Sequence, residues 1–263
     1  MQNKTFLVLY NDNRQYAIFN HLLSSGYSVN LYDSNKSVNT IDSYISDSDV
    51  IILPTPVKEP IDSTITKSIC KKHMIFGGKL PFSFVKECEA KGAFVYDLLK
   101  NPTLVNINSI YTAEATIGYI INTTPFSLYG SKCLICGYGK CGRPISDLLR
   151  SLGATVDIYD ICQEAIIYAH SLGYNYFTSI DNIPLNNYNI IINSIPSNIF
   201  DDKYISNIND SCYIFDIASP PYGFNDTIFN RLPHIVRLPG IPGKYMPLSA
   251  GRLIADIILS KVN

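Results

Sequence analysis

Cys133-Leu134-Ile135-Cys136-Gly137-Tyr138-Gly139-Lys140-Cys141-Gly142-Arg143 decides the fold: a short apolar run enters a Gly-x-Gly-x-x-Gly turn, and a helical pattern from Pro144 to Leu152 leaves it. Strand, glycine turn and helix in this order present free backbone N–H groups to a phosphate. Gly137 permits the tight turn, Gly139 admits a pyrophosphate close to the backbone, and Gly142 lets the helix pack on the strand. Pro144 suits the first helical turn, where its missing N–H costs little. A glycine turn alone is weak evidence, and its sequel carries more. The next strand, Thr155 to Tyr159, ends in Asp160, 23 residues after Gly137, close to the roughly 20 expected of the carboxylate that holds an adenosine ribose. The stretch predicts a dinucleotide site that includes Gly137, Tyr138, Gly139, Lys140, Cys141, Gly142 and Asp160. A carboxylate at 160 repels a 2′-phosphate and accepts ribose hydroxyls, which favours NAD and leaves NADP as the alternative.

Downstream, Asn189 to Asn193 and Cys212 to Ile217 read as further strands, each ending in a small polar loop. On a parallel sheet both loops open at the edge that carries the cofactor. Asn193, Ser194, Ile195, Pro196, Ala218 and Ser219 are therefore expected around the nicotinamide, although Asn and Ser also populate ordinary turns. After a last strand, His234 to Leu238, the Pro- and Gly-rich run Pro239 to Pro247 reads as a fixed loop that adds Pro242 to the cofactor side. A helix from Ser249 to Lys261, with Ser249 as its cap, closes the chain and is expected to fold back on the first domain.

Upstream, strands Lys4 to Tyr10, Ser28 to Tyr32, Asp49 to Leu53, Met74 to Phe76 and Ala93 to Tyr96 are interspersed with helical patterns at Arg14 to Ser25, Ile61 to Lys71 and Pro81 to Lys91. This alternation implies a parallel sheet with right-handed crossovers. The loop Asn11-Asp12-Asn13-Arg14-Gln15 sits where a phosphate loop would be, yet it has no glycine, so no nucleotide is expected there. The loops near Arg14, Thr55 and Gly77 would share one edge. A helix from Asn108 to Ile121, capped by Ser109, marks the junction. The expected fold is α/β, two Rossmann-like parallel-sheet domains with a cleft between them: residues 1–108 on the substrate side, a junction helix at 109–125, a dinucleotide-binding domain at 126–248, and the closing helix at 249–263.

Composition narrows the class. The 263 residues are 46% hydrophobic and 16% charged with net charge −1, a folded globular chain with no basic run, which argues against nucleic acid or an anionic membrane as partner. No stretch approaches the roughly 18 apolar residues of a membrane span, and Met1-Gln2-Asn3-Lys4 leads straight into a strand, so a cytoplasmic location is expected. The seven scattered cysteines form no disulfide framework. Cys133 and Cys136 lie on opposite faces of a strand, where one zinc cannot bridge them, and no metal site is expected. His21, His73, His170 and His234 read as structural or exposed.

These pieces resemble the family of NAD(P)-binding dipicolinate synthase subunits of spore-forming bacteria. The resemblance is carried by Tyr111-Thr112-Ala113-Glu114-Ala115, the glycine stretch with Arg143, Asn193-Ser194-Ile195-Pro196-Ser197, Asp216-Ile217-Ala218-Ser219-Pro220, and Leu238-Pro239-Gly240-Ile241-Pro242-Gly243 with Ser249-Ala250-Gly251. Asn13-Arg14-Gln15 and Leu53-Pro54 carry it more thinly in the first half. It implies an oxidoreductase that, with the flavoprotein-like second subunit of dipicolinate synthase, converts a cyclic dihydro- or hydroxytetrahydro-dipicolinate of the lysine pathway into pyridine-2,6-dicarboxylate in the mother-cell cytoplasm during sporulation. Homo-oligomers are compatible with it. A small dicarboxylate substrate needs cations: Arg14 comes first, as a bidentate fork, followed by Lys79 and Lys244, with Thr55 and Gly77 lining the same edge. A solvated helix start or a surface lysine is the bland alternative for each. Glu114, on an otherwise apolar helix, is the candidate proton acceptor if desolvation raises its pKa, against a capping or hinge salt bridge. Two further readings stand beside this one: a non-catalytic dinucleotide-binding protein supporting a partner, and a two-domain 2-hydroxyacid or amino acid dehydrogenase.

Overall fold

In the computed structural model, which describes residues 4–37, 39–58 and 60–262, the chain divides into two compact units: Met1–Asn108 together with Gly243–Asn263, and Ser109–Pro242. Each unit is a parallel α/β sheet, as the alternation of apolar runs and helical patterns predicts.

The first unit runs β1 (Thr5–Leu9), α1 (Asn13–Ser24), β2 (Ser28–Tyr32), α2 (Ile41–Ser46), β3 (Val50–Ile52), α3 (Ser63–Ser68), β4 (Met74–Gly77), α4 (Phe82–Ala90) and β5 (Phe94–Asp97). Its strands lie in the order β2-β1-β3-β4-β5, every pair parallel. Strands covered on both faces read as continuous apolar runs, and Phe6, Leu7 and Val8 are all buried. Alternation sends Phe6, Val8, Val50 and Ile52 into one core with Ile18 and Leu22 of α1. Leu7, Leu9, Ile51 and Ile75 enter a second core with Ile41, Ile45, Ile65 and Phe84. The first core is completed from the far end of the chain, where the closing helix, Pro247–Val262, contributes Ile254, Ala255, Ile258 and Val262.

His73, just before β4, pins two segments of this unit together. Its Nδ1 accepts the Cys70 N–H at 2.9 Å, which puts the ring proton on Nε2, and Nε2 faces the Ile45 carbonyl at 3.2 Å. Burial and then the neighbouring Lys72 hold its pKa below the ordinary 6.5, outweighing Asp49 and two backbone carbonyls. A lowered folded pKa means that the unfolded chain takes up the proton first. The contribution of His73 is thus complete above pH 6.5 and is lost as pH falls through the lowered value. Urea midpoints measured between about pH 7.5 and pH 5 should fall with acidity, and less steeply in His73→Gln.

The helix α5 (Pro102–Thr123) contains the boundary between the units. It begins earlier than the sequence spacing suggests: Pro102 takes the first position, and Asn101 Oδ1 accepts the Leu104 N–H at 3.0 Å as the cap. Ser109, expected as the cap, is instead buried within the helix. The second unit continues with β6 (Lys132–Cys136), α6 (Gly142–Ser151), β7 (Thr155–Tyr159), α7 (Gln163–Ser171), β8 (Asn175–Phe177), β9 (Ile190–Asn193), α8 (Asp202–Ile205), β10 (Tyr213–Asp216), α9 (Asp226–Phe229) and β11 (Ile235–Arg237). The sheet order is β11-β10-β9-β6-β7-β8, so the winding reverses between β6 and β9, and ligands of such sheets bind outside the carboxyl ends of the strands at that point. One core packs Leu134, Ile191 and Ile214 against Phe200 and Phe224, whose rings stack at 4.4 Å.

Two local expectations are corrected. The Pro- and Gly-rich run is not all loop, since Ile241–Tyr245 forms a short helix, α10; Pro242 fits a first helical turn, and the glycine before it starts the turn at φ +64°. The closing helix starts at Pro247, so Ser249 lies in its first turn rather than at its cap. Cys133 and Cys212 are buried thiols, pushed up to about 12 chiefly by desolvation, and among the described residues no group of side chains could hold a metal ion.

Candidate functional site

The glycine turn between β6 and α6 is built from three different spatial constraints. Gly137 has φ +92°, and a Cβ there would come 2.5 Å from Ser194 Oγ. At Gly142 a Cβ would fall 1.9 Å from the Gly137 carbonyl oxygen. Gly139 has nothing within 4 Å on its Cβ side. The turn is thus closed against the protein at both ends and open in its middle. Among the described residues, no protein acceptor takes the N–H groups of Gly139, Lys140 or Cys141. They lead into the N-terminus of α6, where the helix dipole favours negative charge.

Asp160 closes the turn on the side of β7. Its Oδ2 accepts the Tyr138 N–H at 2.7 Å, and its Oδ1 accepts the Cys162 N–H at 2.8 Å. Each oxygen keeps a lone pair, enough for a vicinal diol. Tyr138 contributes its backbone to this turn, while its side chain is fully buried against Tyr168 and Tyr174. Desolvation pushes the Tyr138 phenol up to about 12. Arg143 braces the turn: its Nε donates to the Tyr138 carbonyl at 3.1 Å, and its guanidinium lies 4.5 Å over the Tyr168 ring.

On the other half of the sheet, Asn193 departs from expectation. It is fully buried, with Nδ2 donating to Asp216 Oδ1 at 2.9 Å and to the Ile195 carbonyl at 3.0 Å, while Oδ1 accepts the Ile195 N–H at 3.1 Å. With both ends of its amide committed, Asn193 shapes the loop and offers no side-chain hydrogen bond to a nicotinamide. Ser194 is committed too, its Oγ donating to the carbonyls of Cys136 and Gly137 at 3.1 and 3.2 Å. Ile195 is half-buried, Pro196 and Ser219 are exposed, and Ala218 and Pro242 are buried. Asp216 and Gly223 were not among the expected site residues; the visible signal was that Asn193 and Asp216 each end an apolar strand in a polar residue.

In the first unit, Arg14 and Thr55 follow β1 and β3, and Gly77 and Lys79 lie at the end of β4. Arg14 is not a free fork. Its Nε and Nη2 grip Asp12 Oδ1 and Oδ2 at 3.0 and 2.6 Å, and Gly243 packs so close that a Cβ would meet Arg14 Nε at 2.9 Å. Asp12 is also the cap of α1, in a capping box with Gln15. Gln15 is buried, and its Nε2 has no partner among the described residues. Thr55 is buried, with its methyl beneath Gly78. Lys79 is exposed, at φ +55°, its N–H held by Asp97 at 3.1 Å. Lys244 is exposed, 5.3 Å over the Tyr245 ring. Glu114, in the second unit, is exposed as well, which removes the desolvation its proton-acceptor role relied on.

No protein-family model matches the chain. A dipicolinate synthase subunit of Bacillus subtilis (strain 168) is 29% identical over 165 residues, 61% of this chain and 55% of that protein. The chain thus aligns with little more than half the length of this curated relative. The crystal structure of a dipicolinate synthase subunit from Bacillus halodurans has a similar fold, with TM-score 0.81 and 22% identity over 98% of this chain and 97% of that one. An NAD+-bound 3-phosphoglycerate dehydrogenase from Entamoeba histolytica gives a TM-score of 0.57 at 16% identity, over 97% of this chain and 94% of that one. The chain therefore resembles these dipicolinate synthase subunits and has a dehydrogenase-like fold. Among the described residues, no helix is long and apolar enough to cross a membrane.

Proposed function

We propose that the chain is an oxidoreductase subunit that forms dipicolinate from a dihydro- or hydroxytetrahydro-dipicolinate, using NAD. One observation carries the reading: the open N–H groups of the Gly137–Gly142 turn face the same sheet edge as the half-committed Asp160 carboxylate. These residues fit a dinucleotide. Bound NAD would supply the hydride acceptor. The chain's own groups do the rest: the N–H groups of Gly139, Lys140 and Cys141 hold the pyrophosphate, Asp160 holds the ribose hydroxyls, and the backbone of Ser194 to Pro196, Ala218 to Ser219, and Pro242 flanks the nicotinamide. Removal of a hydride and a proton, with loss of water if the substrate is hydroxylated, leaves an aromatic ring. The protein therefore needs mainly to orient the ring and let the proton leave.

The two substrate carboxylates are assigned to the first unit: the ammonium of Lys79, the Nη1 hydrogens of Arg14 left over by Asp12, the Gln15 Nε2 donor, and Lys244, with Thr55 and Gly77 beside them. The released proton passes to water, with the exposed Glu114 kept as the candidate acceptor that the Glu114→Gln variant tests. The relatives are named as subunits, which supports a further chain, the flavoprotein-like second subunit of dipicolinate synthase, and the setting proposed is the cytoplasm of a sporulating mother cell. A non-catalytic dinucleotide-binding protein is the second reading, favoured by the Arg14–Asp12 pair and by the exposure of Glu114.

The test titrates the full chain with NADH and NADPH and assays the cyclised lysine-pathway intermediate for pyridine dicarboxylate absorbance, with and without the flavoprotein-like partner. Dipicolinate formation that is unchanged in Arg14→Ala with Glu114→Gln overturns the catalytic assignment in favour of the second reading. For the cofactor, wild type should bind NADH more tightly than NADPH. Asp160→Asn keeps an acceptor for the turn but removes the charge, so the NADH preference should shrink by about tenfold; tighter NADPH binding by wild type would contradict this.

A further inference from the structure

We infer that Asp216 is the positioning residue for the nicotinamide-end loops, a buried carboxylate that ties the loop after β9 to the loop after β10 through Asn193 and Gly223. This rests on the dinucleotide reading of the second unit. Asn193 and Asp216 are the last residues of adjacent parallel strands and face each other in register. Both are fully buried. Asp216 Oδ1 accepts the Asn193 Nδ2–H at 2.9 Å and the Ala218 N–H at 3.3 Å, and Oδ2 accepts the Gly223 N–H at 2.9 Å. Every one of these partners is a donor, the arrangement that a carboxylate accepts. No cation pairs with Asp216 among the described residues. A strand end that served packing alone would be better filled by an apolar side chain, because burying a carboxylate is costly.

The carboxylate sits where it can hold two loops at once. Through Asn193 it reaches Ile195, whose N–H and carbonyl both bind the Asn193 amide. Through Gly223 it closes the turn that runs from Ala218 past Tyr222, a residue held at φ +69°. The loops approach so closely that a Cβ on Gly223 would fall 2.2 Å from Asn193 Nδ2. Arg237 holds the outer side of the second loop, with its guanidinium 4.4 Å over the Tyr222 ring and Nη2 donating to the Phe224 carbonyl at 2.6 Å. The adenosine half, Gly137 to Gly142 with Asp160, follows β6 and β7 and, among the described residues, shares no hydrogen bond with Asp216. Loosening Asp216 should therefore be felt first at the nicotinamide end, and reach the ADP-ribose end only at second hand, through Ser194, whose Oγ donates to the Gly137 carbonyl at 3.2 Å.

The experiment compares dissociation constants for NADH and for ADP-ribose, which lacks the nicotinamide, in the full chain carrying Asp216→Asn or Gly223→Ala, with urea midpoints alongside. Asp216→Asn turns an N–H₂ toward groups that are themselves donors, and Gly223→Ala pushes the two loops apart without touching the carboxylate. In both variants NADH should weaken by about tenfold while ADP-ribose stays within about twofold, and the emission change of bound NADH should be reduced. Equal weakening of both ligands, or unchanged NADH binding in a folded variant, overturns the positioning role. Loss of the folded state in both variants overturns it as well, by reducing Asp216 to a structural part. If wild type binds neither ligand, the dinucleotide reading itself fails; if wild type binds both and the variants do not discriminate, only the Asp216 inference fails.

Discussion

Gly142→Ala is expected to lose dinucleotide binding by about a hundredfold or more and to lower stability by about 1–3 kcal/mol. The added Cβ would lie 1.9 Å from the Gly137 carbonyl oxygen, a backbone atom that cannot swing aside as a side chain could. Either α6 retreats from β6 or the turn opens, and both outcomes displace the N–H groups that would meet the pyrophosphate. Gly139→Ala is the informative partner, because nothing of the protein lies within 4 Å of its Cβ position. It should keep the urea midpoint of wild type and still weaken NADH, since the methyl occupies space the turn leaves to the ligand. NADH titration and urea unfolding of the two variants separate a packing role from a contact role. A Gly142→Ala protein with wild-type midpoint and affinity would sink this role for the turn.

Ile258→Ala should destabilise the first unit by about 2–5 kcal/mol, the range for truncating a large aliphatic side chain in a packed core. Ile258 is fully buried beside Phe6, Val8, Ile18 and Leu22, although it lies near the end of the chain. Its loss would leave a void under β1 and α1. Leu248→Ala, on the same helix but 63% exposed, should change stability by less than about 0.5 kcal/mol. Denaturant curves with a probe in the first unit would check both. Equal midpoints for Ile258→Ala and wild type would mean that the closing helix does not support the first sheet.

The elements that were legible in the sequence are those whose cause is local. Apolar runs such as Phe6 to Leu9 and Ile190 to Ile192 mark strands buried on both faces, and Gly137 and Asp160 mark the ends of the second unit's first two strands. Short or atypical elements escaped. β8 is only Asn175–Phe177, and α10 is built from Ile-Pro-Gly-Lys-Tyr, a composition that reads as loop. The start of α5 was hidden because Asn101-Pro102 resembles a turn as much as a capped helix. The Arg14–Asp12 pair had a visible signal in Asp12-Asn13-Arg14-Gln15, whose first and last residues form a capping box, which places the Asp12 carboxylate beside the helix start where Arg14 stands.

By itself the sequence determined the alternation of strands and helices, the dinucleotide-type turn and the carboxylate that follows it, because backbone torsions, capping and apolar periodicity act over a few residues. Only the tertiary structure decided the strand orders of the two sheets, the return of the closing helix to the first core, the commitment of Arg14 to Asp12, and the buried contact of Asn193, Asp216 and Gly223. These depend on which distant surfaces exclude water together, and on which donors find acceptors once they do.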